Sequence, residues 1–132
     1  MNAMRGANAY AKVGVETGVM SASPHQLIVM LFDGALASIR AARLHMESGA
    51  VAEKGKAISR AIDIVNNGLL AGLDKERGGE LAERLEQLYD YIVRLLLQAN
   101  LLNEPQQLDE AAELLGGVAS AWREIGSQVN GQ

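Results

Sequence analysis

The chain has 132 residues, of which 48% are hydrophobic, and a net charge of −4 at pH 7. This length predicts one domain with a core of its own, and the negative charge argues against a nucleic-acid surface, which would require a basic face. The absence of cysteine excludes disulfides and thiolate metal sites. No apolar run approaches the roughly 20 residues that cross a membrane, and the first residues lack the apolar segment of a secretory signal.

Residues 1–22 are predicted to form an N-terminal arm or a short extra helix outside the main bundle. The segment is rich in Ala, Gly and Asn and is weakly patterned. It nevertheless carries apolar side chains, among them Tyr10 and Val13. Tyr10 has no bundle stripe to join, so it is either a plug over apolar surface or a solvated loop residue.

A helix is predicted to begin at Ser23 and to run to about Glu47. Ser23 and Gln26 have the spacing of a capping box, in which each side chain bonds the other residue's backbone N–H. Pro24 occupies the first helical position, where its missing N–H costs nothing. The helix is expected to end near Ser48-Gly49. Its predicted core stripe consists of Ile28, Leu31, Ala35, Ile39, Ala42 and Met46.

Six consecutive apolar residues, Leu27 to Phe32, follow the start of this helix. They span more than one and a half turns and therefore place apolar side chains on every face, whereas a surface helix needs one apolar stripe. One face can enter the core, and the other requires a cover from the rest of the chain or from a partner. Leu27 and Met30 lie off the core stripe, so groove lining and core burial are equally open for them. The surplus indicates binding rather than chemistry.

Three further helices are predicted over about residues 51–70, 80–101 and 105–125, with ends set by Gly, Asn and Pro. The third helix carries a heptad seam, made of Leu81, Leu85, Leu88, Ile92, Leu95, Ala99 and Leu102. The other two carry stripes at Ile58, Ile62, Val65 and Leu69 and at Leu108, Ala111, Leu115, Val118, Trp122 and Ile125. Leu96 and Leu97 lie off the seam, so groove lining and core burial are open for them too.

These patterns predict an all-α fold, an antiparallel four-helix bundle over residues 23–126 that is followed by a flexible tail over 127–132. No strand periodicity competes with this interpretation. Gly116-Gly117 inside the fourth helix is unfavourable by about 1 kcal/mol per Gly relative to Ala. We interpret the pair as room for another backbone to approach closely.

The sequence predicts no catalytic, cofactor or metal site. Its two histidines, His25 and His45, lie about 30 Å apart along one helix and cannot share a metal ion. His25 is interpreted as a solvated polar residue of the first turn. An enzymatic-type alternative rests on residues 45–49 (HMESG), which resemble the His-x-x-Lys-Gly core of histidine phosphotransfer domains. Ser48 replaces the Lys of that core, and the Gly falls where the helix is expected to end.

Four stretches of the chain carry a resemblance to one protein family. They are residues 22–36 (ASPHQLIVMLFDGAL), residues 73–82 (LDKERGGELA) running on to LYDYI at 88–92, Ala9-Tyr10 upstream of Val15-Glu16-Thr17, and Trp122. In this order, over nearly the whole chain, they resemble the flagellar secretion chaperones that bind flagellin. Two features depart from the family: Phe32 stands where Tyr is frequent, and Gly18-Val19-Met20-Ser21 separates elements that are usually contiguous.

The resemblance implies a cytoplasmic, ATP-independent chaperone, not an enzyme, without a cofactor. It would hold the disordered C-terminal segment of flagellin, prevent premature filament assembly and present the subunit to a component of the flagellar type III export apparatus. It also implies an arm that covers part of the client surface, for which Tyr10 and Val13 are the expected plug. We expect the client groove to be lined by Leu27, Met30, Leu96 and Leu97. Neither nucleic acid nor membrane insertion is expected, and self-association of the free protein stays open.

Overall fold

The computed structural model describes the chain from residue 22 to residue 129, with side chains as far as residue 126. Four helices make up this part: α1 Pro24–Ser48, α2 Val51–Ile64, α3 Lys75–Leu102 and α4 Pro105–Val129. A π-helical segment, Val65–Leu70, prolongs α2. α1 packs against α2 and α4, and α3 packs against α2, the π-helical segment and α4. The predicted all-α bundle, free of strands within the described residues, is confirmed.

Both ends of α1 form as their local signals predict. The backbone N–H of Gln26 donates to Ser23 Oγ over 3.1 Å, and the N–H of Ser23 donates to Gln26 Oε1 over 2.9 Å. Two donors that a helix start leaves without an intrahelical partner are therefore satisfied. At the other end Gly49 takes a left-handed conformation with φ of 76°, the usual role of Gly after the last turn.

The π-helical segment lies against α1 at Gly68, which faces Leu31. A Cβ on Gly68 would lie 2.9 Å from Leu31 Cδ2, closer than packed carbon atoms approach. Leu31 itself is fully buried, so its side chain has little room to move away. The missing Cβ thus allows the end of the second helical stretch to close against α1.

The long part of the third helix begins after Gly79, as predicted, but one additional helical turn over residues 75–78 precedes it. Asp74 accounts for this turn, because its Oδ1 accepts the backbone N–H of Arg77 over 3.1 Å and caps it. Gly79, with φ of 53° and ψ of −126°, then breaks the helical path before the long continuous part begins. The chain therefore changes direction at Gly79, between the short turn and the long helix.

The core selects a different register on α3 from the predicted heptad seam. Leu85, Ile92 and Ala99 belong to both, but Leu81 and Leu102, which the seam included, are exposed. Buried positions outside the predicted seam are Ala82, Tyr89 and Leu96. The predicted seam combines residues 85, 92 and 99 with 88, 95 and 102, whereas a second heptad combines the same three with 82, 89 and 96. Because Leu95 and Leu96 are both buried, the apolar stripe of α3 is wider than a coiled-coil seam.

The fourth helix continues to Val129, past the predicted end near Ile125. Ile125, which the stripe placed in the core, is exposed, whereas Ala119 is buried. The interpretation of Gly116-Gly117 as a close approach is wrong for the described part of the chain, because a Cβ on either residue would meet open space. The two glycines therefore weaken α4 without a packing reason.

A buried lysine ties the start of α2 to the end of α3. Lys54 Nζ donates to the carbonyl oxygen of Asn100 over 3.2 Å and to Asn103 Oδ1 over 2.9 Å. Asn103 has a left-handed backbone with φ of 56° and ends α3 just before Pro105. Because the last carbonyls of a helix lack intrahelical donors, the ammonium group stabilises this end of the bundle.

Candidate functional site

An apolar cavity of about 370 Å³ opens at the end of the bundle where α1 begins and α4 ends. We call it the apolar groove. α1, the segment that follows α2, α3 and α4 all contribute to its wall, at Ile28, Phe32, Leu69, Gly72, Leu73, Asp74, Arg77, Gly78, Leu81, Ala82, Leu85, Tyr89, Val118 and Trp122. Such a wall can shelter apolar side chains and offers few polar partners.

The floor and the rim of the apolar groove differ in exposure. Phe32, Leu69 and Tyr89 belong to the floor and are buried in the core. Leu81 stands at the rim with 63% of its surface exposed, so it extends the apolar lining of the groove outward to the solvent. A ligand that fills the groove would therefore cover surface that water now reaches.

The charged residues of the apolar groove lie at its rim. Asp74 and Arg77 form an ion pair over 3.8 Å, and both side chains are exposed, so the pair adds little to stability. Tyr89 brings a titratable hydroxyl to the floor, and burial raises the pKa of Tyr89 to about 12. The phenol consequently stays neutral at physiological pH, as an apolar site requires.

One edge of the apolar groove is closed by a contact between His25 and Trp122, which lie at opposite ends of the described chain. His25 Nε2 donates to the carbonyl oxygen of Trp122 over 2.7 Å, and Trp122 Nε1 donates to the carbonyl oxygen of His25 over 3.2 Å. The two rings stack with centroids 4.9 Å apart and an interplanar angle of 7°. The interpretation of His25 as a solvated residue is therefore wrong: α4 holds it in a fixed geometry.

The structure does not bring the four expected groove residues together. Leu27 and Met30 are partly buried against the core, outside the lining of the apolar groove. Leu96 is 0% exposed, which removes it from any open surface, and Leu97 is 53% exposed near the far end of α3. The expected plug residues, Tyr10 and Val13, lie outside the described residues, as do residues 18–21.

None of the residues predicted to line a groove lines this one, because its walls come from segments that are distant in the sequence. Leu73 precedes α3, and Leu81 lies near its start. Val118 and Trp122 belong to α4, so no helical period connects the two pairs. One usable signal is Leu81, a leucine in a charged stretch at the start of the predicted seam. Trp122 belongs to the predicted core stripe, and in the structure it packs on the core and also lines the groove.

Leucines near the end of α3 form a second exposed apolar area, away from the apolar groove. They are Leu97, Leu101 and Leu102, and Leu101 is 83% exposed. Their helix end lies beside the start of α2, as the bonds of Lys54 show. A segment that wraps the bundle would find apolar surface at both ends of α3.

The described residues offer no arrangement for metal chemistry, because no group of three or more His, Asp or Glu side chains among them could hold an ion. His45 lies in the last turn of α1, and Ser48 Oγ donates to its carbonyl oxygen over 3.2 Å. Gly49 follows as the left-handed end of the helix. Among the described helices, none combines the length and the apolar character needed to span a membrane.

The family model described as flagellar protein FliS matches residues 6–129 of the chain. This chain belongs to the FliS family. It is 55% identical over 127 residues to the flagellar secretion chaperone FliS of Salmonella typhimurium, an alignment that covers 96% of this chain and 94% of the relative. The flagellar secretion chaperone FliS of Escherichia coli K12 is 47% identical over 124 residues, covering 94% of this chain and 91% of the relative.

Another relative is the flagellar secretion chaperone FliSB of Pseudomonas aeruginosa, 43% identical over 122 residues, which cover 92% of this chain and 96% of the relative. The resemblance stated from the motifs is thus confirmed. The names of these FliS relatives describe chaperones of flagellar secretion, which is a binding role. An apolar groove is the kind of site that a binding role requires.

Proposed function

We propose that this chain is a cytoplasmic export chaperone that binds the disordered C-terminal segment of flagellin. It holds that segment so that the subunit does not polymerise prematurely, and it delivers the subunit to a component of the flagellar type III export apparatus. The observation that carries the proposal is the apolar groove, a cavity of about 370 Å³ with an exposed leucine at its rim in a member of the FliS family.

The energetics of ordering a client call for more surface than the groove alone. Fixing one client residue costs about 1–2 kcal/mol of backbone entropy, and burial returns roughly 25 cal/mol per Å² of apolar area. Each ordered residue must therefore bury about 40–80 Å² to break even. The groove is near the lower end of the roughly 300–1,000 Å³ typical of small-ligand pockets. It anchors a few side chains, and the rest of the client lies along other apolar surface.

The exposed leucines at the end of α3 supply that additional surface. Leu97 and Leu101 lie four residues apart and share one face of the helix. A client anchored in the apolar groove could follow α3 and cover both. Because full burial of one leucine contributes about 1.5–3 kcal/mol, these contacts add to affinity without any specific polar chemistry.

The arm enters the proposal through the family resemblance. We propose that Tyr10 and Val13 cover apolar client surface when flagellin is absent, and that this cover limits self-association of the free protein. Deletion of residues 2–19 is expected to increase binding of a hydrophobic dye and to promote self-association in sedimentation experiments. Unchanged dye binding and an unchanged sedimentation coefficient would argue against a covering role.

Calorimetric titration with synthetic segments of the flagellin encoded by the same genome tests the function. We expect the C-terminal segment to bind in a one-to-one complex and the N-terminal segment not to bind. Leu81→Ser should weaken binding by about tenfold, because roughly 1.5 kcal/mol of leucine burial is lost. Leu44→Ser is the matched control, since Leu44 is 65% exposed on α1, outside the apolar groove. Equal binding of both flagellin segments, or equal effects of both variants, would refute the proposal.

A further inference from the structure

The contact between His25 and Trp122 joins the first turn of α1 to the last part of α4. Each residue donates one hydrogen bond to the other residue's carbonyl oxygen, over 2.7 Å and 3.2 Å. Since a carbonyl oxygen can only accept, Nε2 of His25 carries a proton in this geometry. The stacked rings add a third interaction. We call this set of contacts the clasp.

Gly126 is also part of the clasp, because the imidazole ring of His25 packs directly against it. It follows Trp122 by four residues, so both lie on one face of α4. A Cβ on Gly126 would overlap the imidazole of His25. The imidazole ring therefore occupies the space that the methyl group of an alanine would need. α4 can approach α1 this closely only because residue 126 is glycine.

The half of α4 that carries the clasp is weakly anchored otherwise. Before Gly116-Gly117, three apolar residues of α4 are fully buried, namely Leu108, Ala111 and Leu115. Beyond the pair, the fully buried apolar residue among those described is Ala119, whereas Val118 and Trp122 are partly buried and line the apolar groove. An exposed ion pair between Arg123 and Asp33 also links this half to α1, but such pairs contribute little.

Gly116 and Gly117 mark the boundary between the two halves. Glycine is unfavourable inside a helix because of the backbone entropy lost on folding. In this helix no neighbouring atom would meet a side chain at either position. A pair of adjacent glycines without a packing reason is a place where a helix bends readily.

We propose that His25 is a positioning residue that latches Trp122 in place, and that the part of α4 beyond Gly116-Gly117 is a hinged wall of the apolar groove. When the clasp is closed, the wall holds Val118 and Trp122 against the cavity. When it opens, the wall swings about the glycine pair and widens the groove for an apolar segment. The nature of that segment rests on the proposed function, whereas the latch and the hinge are properties of the free protein.

The free protein provides a direct probe of the latch, because Trp122 is the single tryptophan of the chain. Quenching of its fluorescence by acrylamide measures how readily the wall opens. His25→Ala removes one hydrogen bond and the ring stack, so we expect the open population to increase by about tenfold. Gly126→Ala should displace the ring and raise quenching in the same direction, while circular dichroism shows that each variant stays helical.

The hinge is tested by Gly116→Ala combined with Gly117→Ala, which has room for both methyl groups. This double variant should reduce quenching of Trp122, also when combined with His25→Ala. Gly55→Ala is the matched control, because it adds a methyl group inside α2, where the nearest atom is Asn100 Oδ1 at 4.0 Å. It should stabilise its helix and leave quenching unchanged.

Stopped-flow mixing with the C-terminal flagellin segment connects the latch with binding. We expect His25→Ala to accelerate association and the glycine double variant to slow it, because the wall must open first. Folded variants with unchanged quenching would overturn the latch and hinge. Changed quenching without any binding of the segment would support the latch and refute the proposed function, so the two failures are distinguishable.

Discussion

We expect the buried hydroxyl of Tyr89 to make the stability of the bundle depend on alkaline pH, and Tyr89→Phe to reduce this dependence. Burial raises the pKa of Tyr89 to about 12 from an ordinary value of 10.0. The unfolded chain therefore ionises this phenol from about pH 10, while the folded chain keeps it protonated until about pH 12. The contribution is fully present below the unfolded pKa and is lost as the pH rises through the folded pKa. A difference of two units corresponds to about 2–3 kcal/mol.

Urea unfolding on either side of about pH 10 measures this effect. Because stability at alkaline pH depends on more than one ionisable group, the informative quantity is the difference between the wild type and Tyr89→Phe. We expect the free energy of unfolding to fall less steeply with pH in the variant. Tyr91→Phe is the control. The hydroxyl of Tyr91 donates to Glu110 over 2.6 Å on the exposed surface, where solvent screens the interaction. We therefore expect this variant to change the pH dependence of the free energy of unfolding only slightly. Parallel pH profiles of the wild type and Tyr89→Phe would refute a buried phenol at this position.

Three further variants test other parts of the structure. Lys54→Met should lower the free energy of unfolding by about 1–3 kcal/mol, because two oxygen acceptors lose a charged donor; unfolding in urea measures this loss, and an unchanged midpoint would contradict it. Leu27→Ser combined with Met30→Ser should lower the melting temperature, since both side chains pack on the core. A normal melting temperature together with weakened flagellin binding would instead indicate that both residues contact the client. His45→Ala should leave flagellin binding intact, and transfer of a phosphoryl group to His45 from a response regulator would contradict this expectation.

Local signals predicted the helices well, because capping and helix termination involve residues that are close in the sequence. The bond between Ser23 and Gln26 and the left-handed Gly49 follow from residue type and spacing alone. The same reasoning placed the break at Gly79 but missed the additional helical turn, capped by Asp74, that precedes it. A glycine stops a helix or bends it, and its residue type does not distinguish the two outcomes.

The candidate site was less predictable, because it depends on contacts between residues that are far apart in the chain. Leu95 and Leu96 on α3 serve two overlapping heptads, and only the packing of the neighbouring helices decides that both are buried. His25 and Trp122 are in contact but lie 97 residues apart in the sequence, so no rule of helical spacing connects them. From the apolar run at the start of α1, Ile28 and Phe32 line the apolar groove, whereas Leu27 and Met30, which were expected to line a groove, do not.

The fluorescence of Trp122 during titration with the C-terminal segment of flagellin tests the central proposal most directly. Trp122 lines the apolar groove and is the only tryptophan in the chain, so its emission reports on that site alone. We predict a saturable change in emission at one equivalent of the segment, with no change for the N-terminal segment. Calorimetric binding of the C-terminal segment without any change in Trp122 emission would place the client elsewhere and contradict the role of the groove.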